Sequence, residues 1–168
     1  MKSISHSGQI RIWLLSTIIM VMLMILIGGV TRLTDSGLSM VEWRPLWGFL
    51  PPISQFEWNR VFELYMKSPE YIFKNKGMSL EEFKEIFFWE YFHRLWGRLI
   101  GIIFIIPLLF FIIVKKIPKS ILSKLFLILF LGGLQGFIGW WMVKSGLVND
   151  PTVSQYRLTI HLSNALLI

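Results

Sequence analysis

The nine residues Glu90-Tyr91-Phe92-His93-Arg94-Leu95-Trp96-Gly97-Arg98 carry charged side chains directly into the beginning of a long apolar run. The uncharged run that follows, residues 99–114, is 16 residues long, whereas a helix that crosses a membrane needs about 20 residues. The crossing helix must therefore begin upstream, near residue 92. This start places the charged side chains at the boundary between membrane and water.

Helical spacing places Glu90, His93 or Arg94, Gly97 and Gly101 on one face of that helix, because residues three or four apart are neighbours. An imidazole above two glycines would leave a flat trough beside a side chain that can bind a metal. The stretch therefore predicts a membrane helix whose first turns carry a candidate binding site.

Composition limits both the class of protein and the kinds of metal site. Of the 168 residues, 54% are hydrophobic, which is too apolar for an ordinary soluble domain and fits an integral membrane protein. The chain has no cysteine. Any metal site must therefore use histidine, carboxylate or methionine ligands.

The net charge of +7 is concentrated in the N-terminal head and in residues 115–124. Both segments are predicted on the same side of the membrane, and the positive-inside rule makes that side cytoplasmic. Because these charges flank lipid spans, the composition argues against a nucleic-acid partner. No transit segment precedes the first span, which favours a bacterial protein of the cytoplasmic (inner) membrane with a cytoplasmic N-terminus.

The predicted fold is all-α: one polytopic four-helix bundle over residues 1–168, embedded in the lipid bilayer. The four spans are predicted at approximately residues 12–31, 92–114, 125–143 and 151–168. Asp150 is predicted to cap the fourth span and Pro151 to begin it. Since that span covers only about 27 Å at 1.5 Å per residue, we expect a fragment or a naturally truncated product, cut inside its fourth helix.

A long outer loop, residues 32–90, is predicted to carry short amphipathic helices. Ser54 with Glu57, and Ser79 with Glu82, form two capping-box patterns, each followed by an apolar stripe. The second of these helices is predicted to run directly into the next span. Four tryptophans suggest that the loop forms a cap on the membrane surface: Trp43, Trp47, Trp58 and Trp89.

His93 and His161 are the two histidines predicted at membrane depth, both in the outer half of spans that run in the same direction. Each can simply hydrogen-bond a neighbour across the bundle. Two neutral imidazoles from opposed helices can also hold heme iron. Spacing alone does not separate heme from copper or zinc, but the glycine faces and the lack of a third ligand favour heme.

Glu90 and the nearby arginines each have two predicted roles. Glu90 either pairs with Arg94 four residues later or acts as the catalytic carboxylate beside the iron, handling protons or stabilising positive charge. Arg94, Arg98 and Arg157 are either interface anchors or partners of heme propionates, and the two uses are compatible.

Four stretches resemble the N-terminal half of the heme A synthase family, in its alphaproteobacterial and mitochondrial form. They are residues 28–40 with Trp43, Pro45, Gly48 and Pro51-Pro52; Glu90-Tyr91-Phe92-His93-Arg94 with Gly97-Arg98; residues 133–143; and residues 157–162. Together they cover nearly the whole chain in family order. The missing cysteines also fit this branch.

The resemblance implies an eight-helix protein made of two pseudo-symmetric bundles. It oxidises a methyl group of heme O to the formyl group of heme A, for use in cytochrome oxidase. Carried over to this sequence, the resemblance implies that His93 and His161 are the metal ligands of the substrate heme and that Glu90 is the catalytic glutamate. Gly97, Arg94, Arg98 and Arg157, singled out above from their spacing and chemistry, are the further candidate heme-binding residues.

The resemblance also implies partners. The family's heme b belongs to a C-terminal half that is absent here, so this half or a second copy of the chain is expected. Heme O synthase and an unidentified electron donor are further expected partners.

Two alternatives from other classes stay open at this point. The first is a membrane subunit that transfers electrons through a b-type heme on the same two histidines. The second is a four-helix membrane scaffold without a cofactor. The long aromatic outer loop favours the heme A synthase reading, because a pure electron carrier has less need of a lid over a large substrate.

Overall fold

The computed structural model of the chain describes residues 6–44, 48–148 and 151–168. Within these residues all regular structure is helical, which confirms the predicted all-α class. The helices are α1 His6–Leu33, α2 Gln55–Tyr65, α3 Pro69–Phe73, α4 Leu80–Ile113, α5 Lys119–Gly146 and α6 Gln155–Leu167.

Three helices are long and apolar enough to cross a membrane: Gly8–Leu33, Leu80–Ile113 and Lys119–Gly146. Large aliphatic and aromatic side chains on their outer faces stay exposed, among them Leu26, Ile106 and Phe130. An apolar exterior of this kind suits lipid rather than water. The chain is therefore a multi-pass membrane protein.

The fourth helix begins later than the sequence predicted. α6 starts at Gln155 after the non-helical residue Ser154, whereas the predicted span began at Pro151. The side chain of Val153 is buried and lies beside Gly37 of the outer loop. This segment therefore ties the loop to the bundle instead of forming a helical turn. The predicted cap, Asp150, lies outside the described residues.

The long helices pack in two pairs, α1 with α4 and α5 with α6. At the end of the bundle away from the long loop, a buried cluster joins α1, α4 and α5 around Trp13, Phe104 and Leu108. The indole Nε1 of Trp13 donates to the carbonyl oxygen of Ile103, at 3.0 Å. Because Pro107 has no N–H, it cannot supply the usual helical donor to Ile103. Trp13 of α1 satisfies the carbonyl that the proline of α4 leaves open.

The outer loop folds as a cap on the first turns of α4. Ser54 accepts from the backbone N–H of Glu57 at the start of α2, and the capping box of Ser79 and Glu82 is complete. α4 runs from this box without interruption to Ile113, as predicted. The short helix α3 was not predicted.

An aromatic cluster joins the cap to α4: Trp58, Phe62, Tyr65, Tyr71, Phe83 and Phe87. Of the four predicted cap tryptophans, Trp47 lies outside the described residues.

Candidate functional site

Glu90 lies on the outer part of α4 and is buried, with 2% of the residue exposed. Its Oε2 accepts hydrogen bonds from Ser39 Oγ and from the backbone N–H of Met40, each at 2.7 Å. Its Oε1 accepts from the guanidinium of Arg94, the predicted partner four residues later. Every one of these partners is a donor, so the carboxylate acts only as an acceptor.

Arg94 closes the arrangement around Glu90. Besides pairing with that carboxylate, its Nη2 donates to the carbonyl oxygen of Met40 at 3.2 Å. Its guanidinium also lies 5.3 Å from the ring centre of Trp43. The Met40 peptide is therefore held at its N–H by Glu90 and at its C=O by Arg94. Glu90 and Arg94 therefore fix the position of the Met40 peptide at the start of the cap, and that peptide in turn fixes the two side chains.

A turn after α1 delivers Ser39 to this position. Asp35 adopts a left-handed backbone conformation with φ of 50°, and the N–H of Ser36 donates to the carbonyl of Thr31 at 3.0 Å. This geometry ends α1 and reverses the chain. Ser36 and Ser39 are both buried as a result. The sequence reasoning did not connect this turn to Glu90, although residues 28–40 were among the stretches singled out.

The other two predicted arginines, Arg98 in the middle of α4 and Arg157 in the first turn of α6, lie against aromatic rings. Arg98 Nη2 donates to the carbonyl of Arg44 at 3.1 Å, and its guanidinium lies 5.3 Å from the ring centre of Phe49. Arg157 Nη1 donates to the carbonyl of Trp141 at 2.8 Å, and its guanidinium lies 4.2 Å from the same tryptophan's ring centre. Both positions suit an interface anchor.

His93 is partly buried on α4, one turn after Glu90. Its ring lies against Gly28 of α1, so close that a Cβ added to Gly28 would be 3.3 Å from His93 Nε2. Gly97, the predicted neighbour of the trough, faces α1 as well. A Cβ at Gly97 would be 3.3 Å from Met24 Cε. The trough expected there is therefore occupied by a methionine methyl rather than open.

His161 is partly buried on α6 and is held by α5. The amide Nε2 of Gln135 lies 3.2 Å from His161 Nε2 and 3.0 Å from the carbonyl oxygen of His161. Asn164 Nδ2 donates to Gln135 Oε1 at 2.8 Å, which fixes the orientation of the Gln135 amide. Since that amide nitrogen is a donor, His161 Nε2 is the acceptor and Nδ1 carries the proton.

One ring nitrogen of His161 has no partner among the described residues. Its Nδ1 is buried and has no hydrogen-bond partner among those residues, which is unusual for a buried polar atom. His93, on α4, offers a second imidazole. Imidazoles on helices of different pairs are the residues that would hold a heme iron here.

A cavity of about 360 Å³ lies in the cap between the loop and α2. Ser39 and Met40, the two cap donors to Glu90, also line it. Arg44 and Glu57 add charged groups to its wall, and Phe87 adds an aromatic one. This cavity therefore reaches the residues that hold the candidate catalytic carboxylate.

Elsewhere in the cap, Glu70 of α3 is buried, with 3% of the residue exposed. Tyr65 donates its hydroxyl to Glu70 Oε2 at 3.0 Å, and Asn75 Nδ2 donates to the same hydroxyl at 2.7 Å. Burial raises the pKa of Glu70 to about 7, although the Tyr65 hydrogen bond opposes the shift. The sequence reasoning missed this carboxyl, whose only local signal was the Ser68-Pro69 start of α3.

The chain is an all-α membrane bundle in which each helix pair carries one imidazole. The cap holds a buried carboxylate beside one of them. These features place the chain in the class of membrane proteins with a candidate heme site. The chain belongs to the COX15-CtaA family of cytochrome oxidase assembly proteins, whose family model matches residues 11–168.

Curated relatives named heme A synthase are similar over nearly the whole chain. The protein of Nitrosospira multiformis is 57% identical over 159 residues, which is 95% of this chain and 45% of the relative. That of Nitrosomonas eutropha is 54% identical over 167 residues, which is 99% of this chain and 47% of the relative. The chain thus spans about half the length of the curated relatives it matches. No solved structure gives a significant match.

Proposed function

We propose that this chain is the substrate-binding half of a heme A synthase, an enzyme that oxidises a methyl group of heme O to a formyl group. The observation that carries the proposal is the pair of imidazoles on α4 and α6, with Glu90 one helical turn before His93. The iron porphyrin supplies the redox chemistry when it is bound. The residues of this chain bind the substrate, orient it and manage charge and protons beside it.

In this proposal His93 and His161 would hold the heme iron through their ring nitrogens. The chain presents His161 with its Nε2 lone pair available once the Gln135 N–H is displaced. The same amide keeps its bond to the His161 carbonyl, so α6 stays anchored to α5. Arg94 and Arg98 in the interior of α4, and Arg157 in the first turn of α6, carry guanidinium groups that would pair with propionate carboxylates.

Glu90 is the catalytic residue in this proposal. Its carboxylate is fixed by three donors, so little reorganisation is needed for it to stabilise positive charge that develops on the reacting methyl carbon. The same oxygens can accept the proton that leaves that carbon. The cap cavity beside Ser39 offers water a way to the donors of Glu90.

The rest of the machinery lies outside this chain in the proposal. Relatives of twice its length suggest that a C-terminal half, or a second copy, completes the enzyme and carries a heme b. Heme O synthase would supply the substrate, and an unidentified donor would supply electrons. Since the conversion of a methyl group to a formyl group is a net oxidation that adds an oxygen atom, an external oxidant of the dioxygen class, reduced with the help of that donor, would also have to reach the site. Basic residues at 115–124 and in the N-terminal head support a bacterial inner-membrane location with the N-terminus in the cytoplasm.

The test combines this chain with the C-terminal half of the Nitrosospira multiformis protein in cells that make heme O but no heme A. Mass spectrometry of the extracted hemes should detect heme A. Glu90→Gln keeps an acceptor for Ser39 and Met40 but removes the charge, so heme A should fall by ~10²-fold or more while heme O stays bound. Glu63→Gln, an exposed carboxyl of α2, is the matched control.

Two outcomes would contradict the proposal. If the wild-type pair produces no heme A, the enzymatic proposal fails. A bis-imidazole heme without any oxidised product would then support a b-type electron carrier instead. If Glu90→Gln produces heme A at the wild-type level, the catalytic role assigned to Glu90 is wrong.

A further inference from the structure

Each candidate ligand lies against a glycine of the neighbouring helix. A Cβ built on Gly28 of α1 would be 3.3 Å from His93 Nε2 and 3.6 Å from Cδ2. A Cβ built on Gly139 of α5 would be 3.1 Å from His161 Cε1 and 3.6 Å from Nδ1. Contacts this short leave no room for a methyl group unless the imidazole moves.

The neighbouring glycines of the same helices are different. A Cβ at Gly29, directly after Gly28, meets no atom within 4 Å. The same is true of Gly136, about one turn before Gly139. Helix packing in membranes favours small residues in general. Here a Cβ would press on a ring at the two glycines that face an imidazole, and it would meet open space at Gly29 and Gly136.

The two contacts repeat one arrangement in both helix pairs. In α1 with α4, the first helix supplies Gly28 and the second supplies His93. In α5 with α6, the first helix supplies Gly139 and the second supplies His161. Since the two pairs share no residues, the same solution occurs twice in the bundle.

We infer that Gly28 and Gly139 are positioning residues that set the depth and ring plane of His93 and His161. The inference rests on the proposed function, because its purpose is to place two nitrogens on one iron. A ring that lies against the neighbouring backbone has little freedom to rotate. Ligand geometry tolerates errors of only about 0.5 Å or 10–20°, and an added methyl would displace the ring by a comparable amount.

The experiment compares four single variants of the chain, purified in detergent after growth with ample heme. Gly28→Ala and Gly139→Ala are the test variants, and Gly29→Ala and Gly136→Ala are their matched controls. The controls should show the Soret band and ferric electron paramagnetic resonance (EPR) g-values of the wild type. The test variants should show shifted g-values and at least about tenfold weaker heme retention.

A second readout needs no heme. Nitrogen-15 NMR of histidine-labelled protein without heme should show a shifted His93 ring in Gly28→Ala and a shifted His161 ring in Gly139→Ala, with neither shifted in the controls. Wild-type ring signals and wild-type heme spectra in the test variants would overturn the inference. If the wild type binds no heme but the ring shifts appear, the positioning inference stands and the proposed function fails.

Alanine forms helix better than glycine, so the variants are expected to assemble. If Gly28→Ala nevertheless fails to assemble, the double variant with His93→Ala decides the matter. Recovery in the double variant would show that the methyl clashes with the ring alone. Failure of the double variant would assign Gly28 to helix packing and overturn its positioning role.

Discussion

Glu90 joins two parts of the chain that are 50 residues apart in sequence. Its carboxylate receives the Ser39 hydroxyl and the Met40 N–H from the cap, while Arg94 binds the Met40 carbonyl. A buried charge is tolerated only when its hydrogen-bonding capacity is satisfied. The cap and the carboxylate therefore depend on each other, and movement of the cap would change the environment of Glu90 directly.

Glu70 makes the stability of the cap depend on pH. Its folded-state pKa of about 7 lies above the ordinary value for glutamate, so the folded protein binds this proton more tightly than the unfolded chain. The associated stability is fully present below about pH 4 and is lost as pH rises through 7, by up to about 3 kcal/mol. The charged and titratable groups that act on Glu70 are Tyr65, Glu90, Lys74 and Asp35.

Glu70→Gln should remove this dependence. Glutamine still accepts the Tyr65 hydroxyl but carries no ionisable proton, so the free energy of unfolding should stay level between pH 5 and pH 8. The wild type and Glu63→Gln should both lose stability over that interval. Chemical unfolding in detergent, followed by tryptophan fluorescence, measures the difference. A wild-type pH slope in Glu70→Gln would show that another group is responsible.

Local spacing predicted some contacts of the site and missed those between distant segments. The Glu90–Arg94 pair and the Ser79–Glu82 capping box were both visible because their partners are three or four residues apart. Ser39 and Met40 could not be assigned to Glu90, since no periodicity relates a turn to a helix 50 residues away. The same reason hid the bond between Gln135 and His161.

At the level of elements, α4 carries a proline in its membrane-spanning part and α1 compensates for it. Trp13 donates to the Ile103 carbonyl, whose ordinary helical donor is missing because residue 107 is proline. An unsatisfied carbonyl is costly in lipid, where no water replaces the donor. This bond helps to fix α1 against α4, and with it the contact between Gly28 and His93.

Trp13→Phe should lower the free energy of unfolding by about 1–3 kcal/mol, because it leaves the Ile103 carbonyl unpaired. Trp96→Phe is the matched control. Trp96 donates to the Met20 carbonyl at 3.0 Å, which also has its own helical donor in α1. The free energy of unfolding should therefore fall less in Trp96→Phe than in Trp13→Phe. In a Pro107→Ala background, where the helical N–H is restored, Trp13→Phe should cost less; an equal cost would assign the effect to packing.

Element boundaries were less predictable than element types. The predicted start of the last helix at Pro151 was wrong because Val153 is buried beside the outer loop, a tertiary contact that the local capping pattern does not encode. α3 was missed because a five-residue helix leaves almost no periodic signal. By contrast, three of the long helices follow from apolar length alone.

At the scale of the molecule, the bundle consists of two helix pairs that each present one imidazole. α1 with α4 presents His93, and α5 with α6 presents His161. The cap lies over the outer end of α4 and fixes Glu90. In the proposed function, a flat substrate enters between the pairs and the cap controls its exposure to water. In relatives of about twice this length, the part that matches this bundle is joined to further chain.

The most direct test of this account is the optical and EPR spectrum of the wild-type chain, purified after growth with ample heme, beside three histidine variants. The account predicts one heme per chain with two imidazole ligands. His93→Ala and His161→Ala should each lose that ligation, and His6→Ala should retain it. A wild-type protein without a Soret band, or alanine variants at 93 and 161 with an unchanged spectrum, would contradict the account.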